Sequence, residues 1–146
     1  MIRKIKPSDR DTFLKLSGML YASDAVERQI PESNREAAFD ELMRSNDYLD
    51  GVILESGGKI AGYGLTSKMY SQEAGGFVLW LEELFILPEY RSKGLGGEFF
   101  RYAESIPGIV RTRLEVEGKN ARAISLYKRL GYKEGPYMQM MKILRA

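Results

Sequence analysis

The sequence predicts a single α/β domain over residues 1–146, and three observations carry that expectation. Segments of strand periodicity alternate with segments of helical periodicity along the whole chain. No repeat, low-complexity tract or linker interrupts them. The length fits one domain of roughly 100–200 residues, which at this size buries about 68–70% of its unfolded surface around one core. The composition, 44% hydrophobic and 29% charged, is that of an ordinary soluble protein.

Residues 2–5 read as a short opening strand. Ser8-Asp9-Arg10-Asp11 has the spacing of a capping box, and Phe13, Leu14, Leu16 and Leu20 follow at helical period, predicting a helix over roughly 9–20. Ser33-Asn34-Arg35-Glu36 repeats the signal, and Ala38, Phe39, Leu42 and Met43 share one face, predicting a second helix over roughly 33–45. Strands at 52–54 and 60–65 flank Ser56-Gly57-Gly58-Lys59, a turn that forms an antiparallel ribbon. Residues 77–87 are apolar on both alternations, which predicts a central strand buried on both faces. Glu82 and Glu83 in its middle are therefore anomalous, and on a regular strand they point to opposite faces.

Pro88 ends that strand, and from Gly94 a helix carries Leu95, Phe99, Tyr102, Ala103 and Ile106 on one side, closing at Pro107-Gly108. Residues 110–116 read as a fifth strand. Asn120 caps a helix running through Leu130, Gly131 takes the left-handed C-terminal position, and residues 138–144 read as a last strand.

The chain has 0 Cys and 0 His, which excludes a disulfide framework, a thiolate nucleophile, a Ser-His-Asp triad and any site built on Cys or His metal ligands. Acid–base chemistry falls to carboxylates, Tyr or Lys. Residues 74–146 hold 12 Lys/Arg against 8 Asp/Glu, too thin an excess for a nucleic-acid surface but suited to a small anionic ligand. The longest apolar run, residues 77–81, is far short of the ~18 residues of a membrane span. The start lacks the apolar core of a signal peptide, so a cytoplasmic protein with no membrane or nucleic-acid partner is expected.

The segment that carries chemistry is Arg91-Ser92-Lys93-Gly94-Leu95-Gly96-Gly97, a glycine-rich turn running into a helix N-terminus. Such turns bind anions, because glycines admit close approach, several N–H groups converge, and the helix dipole adds about half a positive charge. The spacing is neither that of a Walker A loop nor of a dinucleotide fingerprint, which would need Gly where Phe99 stands. Taken alone, the turn also fits a plain strand-to-helix connection.

Arg-x-x-Gly-x-Gly after the stretch Leu84-Phe85-Ile86-Leu87-Pro88-Glu89-Tyr90 resembles the acetyl-coenzyme A loop of the GNAT superfamily of N-acetyltransferases. Downstream, Asn120-x-x-Ala123-x-x-x-Tyr127 followed by Gly131-Tyr132 resembles the family's second motif. The resemblance covers nearly the whole chain. It implies a mixed, mostly antiparallel sheet of about six to seven strands flanked by about four helices, of the α/β (α+β) kind. It implies acetyl-CoA as co-substrate with no metal, an amine acceptor that is a small molecule or a protein, and a homodimer. The amides of Ser92, Lys93, Gly94, Leu95, Gly96 and Gly97 would then hold the pyrophosphate, with Arg91 and Lys93 adding charge. Main-chain groups of Leu84, Phe85 and Ile86 would pair with pantetheine, Asn120 would touch the cofactor arm, and Tyr127 would protonate the departing thiolate.

The chemistry needs these residue types. An amine of pKa near 10.4 must lose a proton before attacking a thioester, and a carboxylate is the natural acceptor. Desolvation in the central strand would strengthen Glu82 or Glu83 as a base. Diamine-type members of the family resemble this stretch with Glu at position 82, which favours Glu82. The contrary expectation is a structural pairing with Arg111 or Arg113. A backbone N–H at a strand irregularity near Phe85 would serve the oxyanion. Tyr127 also fits a core aromatic and Asn120 a plain cap, while Tyr21, Asp24 and Glu27 are candidates to line the acceptor site. A non-catalytic acyl-CoA binding domain is the alternative function.

Overall fold

The computed structural model describes residues 1–145, so Ala146, the last residue of the expected domain, lies outside the described residues. The chain divides into two compact units, Met1–Glu115 and Val116 onward. In the first unit β1 (Ile2–Lys4), α1 (Arg10–Tyr21), α2 (Glu32–Arg44), β2 (Leu49–Ser56), β3 (Lys59–Ser71), β4 (Gly76–Ile86), α3 (Leu95–Glu104) and β5 (Ile109–Arg113) follow in order. The second unit contains α4 (Ala121–Arg129). Among the described residues no helix is long and apolar enough to cross a membrane.

Among the described residues the sheet has five strands in the order β1-β2-β3-β4-β5, antiparallel except for the parallel pair β4–β5. The mixed, mostly antiparallel character is as expected, and the strand count is lower than six to seven. The missing strand is residues 138–144, where Met138, Met140 and Met141 are exposed and no ladder forms. Periodicity reports which side chains could share a face and says nothing of the neighbour that a strand requires. The fifth strand likewise ends at Arg113 rather than at residue 116.

Each face of the sheet buries its own cluster. Phe13, Leu16 and Leu20 of α1 and Phe39 and Leu42 of α2 pack on Ile53, Tyr63, Leu65 and Phe85. On the other face Phe99 of α3 packs on Val52 and Leu54, with Leu81, Leu84 and Ile86 against them. Gly64 makes that approach possible, since a Cβ there would lie 2.3 Å from the Phe99 ring. Burial on both faces of the central strand holds for Val78, Leu79 and Phe85, while Phe77 and Glu82 are exposed.

The helix caps differ from expectation at two places. Lys6 rather than Ser8 leads into a short 3-10 turn, Pro7–Asp9, and the Asp9 carboxylate accepts from the Lys6 N–H (2.9 Å). Pro31 caps α2, which begins at Glu32 and leaves Ser33 inside the helix. The Gly57-Gly58 turn has positive φ at both residues, as the ribbon requires.

Asp9 is buried, and Arg3 grips both its oxygens at 2.8 and 2.9 Å. That grip holds the carboxyl below its ordinary range. A lowered folded value contributes stability that is complete above the unfolded value near 3.9 and is lost as pH falls through the folded one. Asp9→Asn is expected to cost about 2 kcal/mol or more at pH 7, below the 3–5 kcal/mol of a fully enclosed pair because Arg3 is partly exposed. Urea unfolding against pH checks this, the gap between variant and wild type closing below about pH 4.

Candidate active site

The register of β3 and β4 places the irregularity at Glu82. Leu81 lies opposite Thr66 and Glu83 opposite Leu65, so Glu82 is an extra residue, a β-bulge three positions before Phe85. The bulge overturns the opposite-face expectation. Tyr63, Leu65 and Ser67 alternate onto the face that carries α1 and α2, and Ser67 Oγ donates to Glu82 Oε1 (2.5 Å) while Tyr63 Oη donates to Glu83 Oε1 (2.7 Å). Both carboxylates therefore share that face. Tyr21 Oη, at the end of α1, donates to Glu83 Oε2 (2.5 Å).

Burial divides the pair: Glu82 is exposed, against the expected desolvation, and Glu83 is half-buried. Arg111 pairs with Glu73 at 3.4 Å and Arg113 lies over the Trp80 ring at 4.5 Å, so neither takes the structural pairing with a β4 carboxylate. Burial first, then the Glu83 hydrogen bond and charge, raise the Tyr21 phenol, with Glu82 adding a further push. Burial and Glu83 raise Tyr63 in the same direction. Both phenols stay protonated and remain donors at physiological pH. Sequence reasoning named Tyr21 and missed Tyr63 and Ser67, whose alternation with Leu65 was the available signal.

The bulge coincides with a parting of strands. β4 pairs with β5 only from Phe77 to Trp80, so within the N-terminal unit no strand covers residues 81–86 on that side. Leu87 N–H donates to Ala61 O (2.8 Å). Ladder alternation then turns Phe85 and Glu83 main-chain groups toward β3, and those of Leu84 and Ile86 toward the open side. Arg91 Nε donates to Ile86 O (2.9 Å) from that side, and its guanidinium lies 5.8 Å from the Phe85 ring centre. Of the three strand residues expected at the open edge, Leu84 and Ile86 present backbone there and Phe85 turns away.

The glycine-rich turn stands beside this edge. Gly94 takes φ 84° as the N-cap of α3, a left-handed conformation that favours glycine, and Ser92 takes φ 61°. The first helical bond of α3 runs from Glu98 N–H to Gly94 O (3.1 Å), so the Leu95, Gly96 and Gly97 amides precede the ladder and are open to an anion. A Cβ on Gly96 would rest 3.9 Å from the Leu84 side chain and 4.0 Å from that of Ile86, which places the first turn of α3 over the strand residues whose backbone forms the open edge. Lys93 Nζ lies 5.4 Å from the Tyr90 ring centre, and the Arg101 guanidinium lies 3.2 Å from where a Gly97 Cβ would sit. Arg101, which sequence reasoning did not name as a site residue, thus adds charge at this terminus.

In the C-terminal unit, Asn120 Oδ1 accepts from Ala123 N–H (3.1 Å), confirming its capping. Tyr127 is half-buried, its ring 6.1 Å from that of Tyr132, and burial raises its phenol. Gly131 takes φ 95° and closes α4 as expected. Asp24 and Glu27 are exposed in the segment between α1 and α2.

The Acetyltransferase (GNAT) family model matches residues 19–132. The chain is 30% identical over 141 residues to thialysine N-epsilon-acetyltransferase of Bos taurus, covering 90% of this chain and 82% of that protein. A possible acetyltransferase from Clostridium difficile 630 has a similar structure, with a TM-score of 0.85 at 23% identity over 99% of this chain and 98% of that one. An aminoglycoside N-acetyltransferase in complex with CoA gives a TM-score of 0.75 at 18% identity over 99% of this chain and 95% of the other. These two structures establish likeness of fold alone. The chain belongs to the GNAT acetyltransferase family and is an acetyl-CoA-dependent N-acetyltransferase.

Proposed function

We propose that the protein transfers the acetyl group of acetyl-CoA to a primary amine, borne by a small cationic molecule or a protein, by direct attack in a ternary complex. Residues 1–146 act as one functional domain in this reading, supported by a family match that runs across both compact units. The relatives named for thialysine and aminoglycoside acetylation support an amine acceptor. The observation that carries the reading is β4, which bears a carboxylate at a bulge and an uncovered edge beside the first turn of α3.

In this mechanism the Leu95, Gly96 and Gly97 amides, with Ser92, Lys93 and Gly94 of the turn, hold the pyrophosphate of acetyl-CoA, and Arg91, Lys93 and Arg101 supply charge. Leu84 and Ile86 offer backbone groups to the pantetheine arm. Asn120 contacts the arm while capping α4. Glu82, exposed and oriented by Ser67, takes the proton of the amine. A backbone N–H near the bulge stabilises the oxyanion. Tyr127, kept protonated by burial, returns a proton to the departing thiolate. A panel of amines assayed by thiol release tests the reading. Release with a subset of amines is expected, whereas CoA binding without release from any amine contradicts it.

Gly96→Asp tests the loop separately. The Cβ meets only ordinary contacts, so the fold should persist while the carboxylate occupies and repels the anion position. Calorimetry should show CoA affinity weakened at least about tenfold, or about 1.4 kcal/mol. Unchanged affinity in the folded variant contradicts the loop assignment.

A further inference from the structure

We propose that Arg113 is a specificity-determining residue that binds a carboxylate on the acceptor, so that the acetylated amine belongs to a free amino acid rather than to a polyamine or a protein side chain. The proposal rests on the reading above, in which the acceptor amine gives its proton to Glu82. Trp80 and Arg113 form the last rung of the β4–β5 pair, and Glu82 is the second residue beyond that rung on β4. Trp80 lies opposite Ser67 in the β3–β4 ladder, and Ser67 Oγ donates to Glu82 Oε1 (2.5 Å), so Trp80 and Glu82 share a face. The Arg113 guanidinium lies over the Trp80 ring at 4.5 Å and is on that face too. One strand spacing and two residues separate Arg113 from Glu82, which puts the roots of their side chains roughly 8 Å apart.

An exposed cation and an exposed anion thus stand on one face without neutralising each other. Among the described residues Arg113 forms no ion pair and no side-chain hydrogen bond, which leaves its guanidinium N–H groups free. What holds it is Trp80, a half-buried ring fixed in turn by donation from Nε1–H to Met69 Sδ (3.4 Å). A guanidinium over an aromatic ring keeps its N–H edge for a planar, bidentate carboxylate. The other nearby cations are engaged elsewhere. Arg111 pairs with Glu73 (3.4 Å), and Arg35 of α2 donates to Leu14 O (2.6 Å) with its charge reaching Tyr63. Lys68 lies over the Phe77 ring at 5.2 Å, on the face that carries α3. Arg113 therefore repels the second ammonium of a diamine whose first lies at Glu82, and attracts the carboxylate of an amino acid whose side-chain amine lies there. A lysine within a protein chain has that carboxyl tied up in a peptide bond.

Two pairs of probes that differ only by the carboxylate test this: lysine against cadaverine, and ornithine against putrescine, with thiol release as the readout. The wild type is expected to show kcat/KM at least about tenfold higher for the amino acid of one or both pairs, the worth of roughly one charge-assisted hydrogen bond. Arg113→Gln should remove that preference through acceptor KM, with acetyl-CoA KM within about twofold of wild type. Arg113→Glu should invert it, since a carboxylate there repels the amino acid and attracts the second ammonium of the diamine. The position is exposed, and thermal unfolding confirms that both variants are folded. A wild type that turns over the diamines, or any carboxylate-free amine of the panel, as well as the amino acids overturns the proposal and leaves the function intact. Variants that lose both members of a pair alike do the same. A wild type that acetylates no amine overturns both.

Discussion

Tyr127→Phe is expected to lower kcat by about 10²–10⁴-fold, the usual contribution of a positioned general acid, while CoA affinity stays within about twofold. The substitution keeps the ring that packs near Tyr132 and removes only the hydroxyl. Burial raises this phenol, so over the physiological range it is a proton donor and changes little in charge. The loss should therefore be nearly constant from about pH 6 to 9. Rapid-quench measurement of the chemical step, compared with steady-state kcat, separates chemistry from product release. A variant as fast as wild type in the chemical step leaves Tyr127 as packing.

Glu82→Gln carries the second large expectation, with an opposite pH signature. The amide keeps the shape and the Ser67 contact but cannot take a proton. At pH 7 almost all of an amine of pKa near 10.4 is protonated, and kcat/KM should fall by about 10²-fold or more. As pH rises the neutral amine needs no base, and the deficit should shrink toward the amine pKa. Glu83→Gln should behave differently, acting on acceptor KM with a shallower pH dependence. A regular strand would make Glu83 a control on the opposite face; the bulge makes it a neighbour on the same face. If Glu83→Gln shows the large pH-dependent loss and Glu82→Gln does not, the roles are reversed.

The legible parts of this protein are those set by short-range chemistry. Gly94 and the amides after it announce an anion-ready helix start because a helix terminus is defined within four residues. Asn120 and Gly131 mark the ends of α4 for the same reason. The irregularity expected near Phe85 falls at Glu82, and its position was not legible because a bulge is a relation between strands: nothing in Leu81-Glu82-Glu83 alone says that Leu65 and Thr66 will straddle an extra residue. Missing it sent Glu83 to the wrong face and hid Tyr63 as the companion of Glu83 and Ser67 as that of Glu82. The parting of β4 from β5 was hidden from the apolar pattern, which reports the two faces of a strand and not its edges; only the expected pairing of residues 84–86 with pantetheine pointed to it. Residues 138–144 failed in the other direction, an apolar alternation to which no strand is assigned.

Direct transfer is the central claim, and initial-rate kinetics with both substrates varied tests it most directly. With 0 Cys and 0 His in the chain, neither a thiol carrier nor a His-activated serine is at hand, and Glu82 and Tyr127 are assigned to move protons rather than to hold the acyl group. The account predicts double-reciprocal lines that intersect, with no acetylated enzyme seen by mass spectrometry after incubation with acetyl-CoA alone. Parallel lines, together with a stoichiometric acetyl-enzyme that passes its acetyl group to added amine, would contradict it.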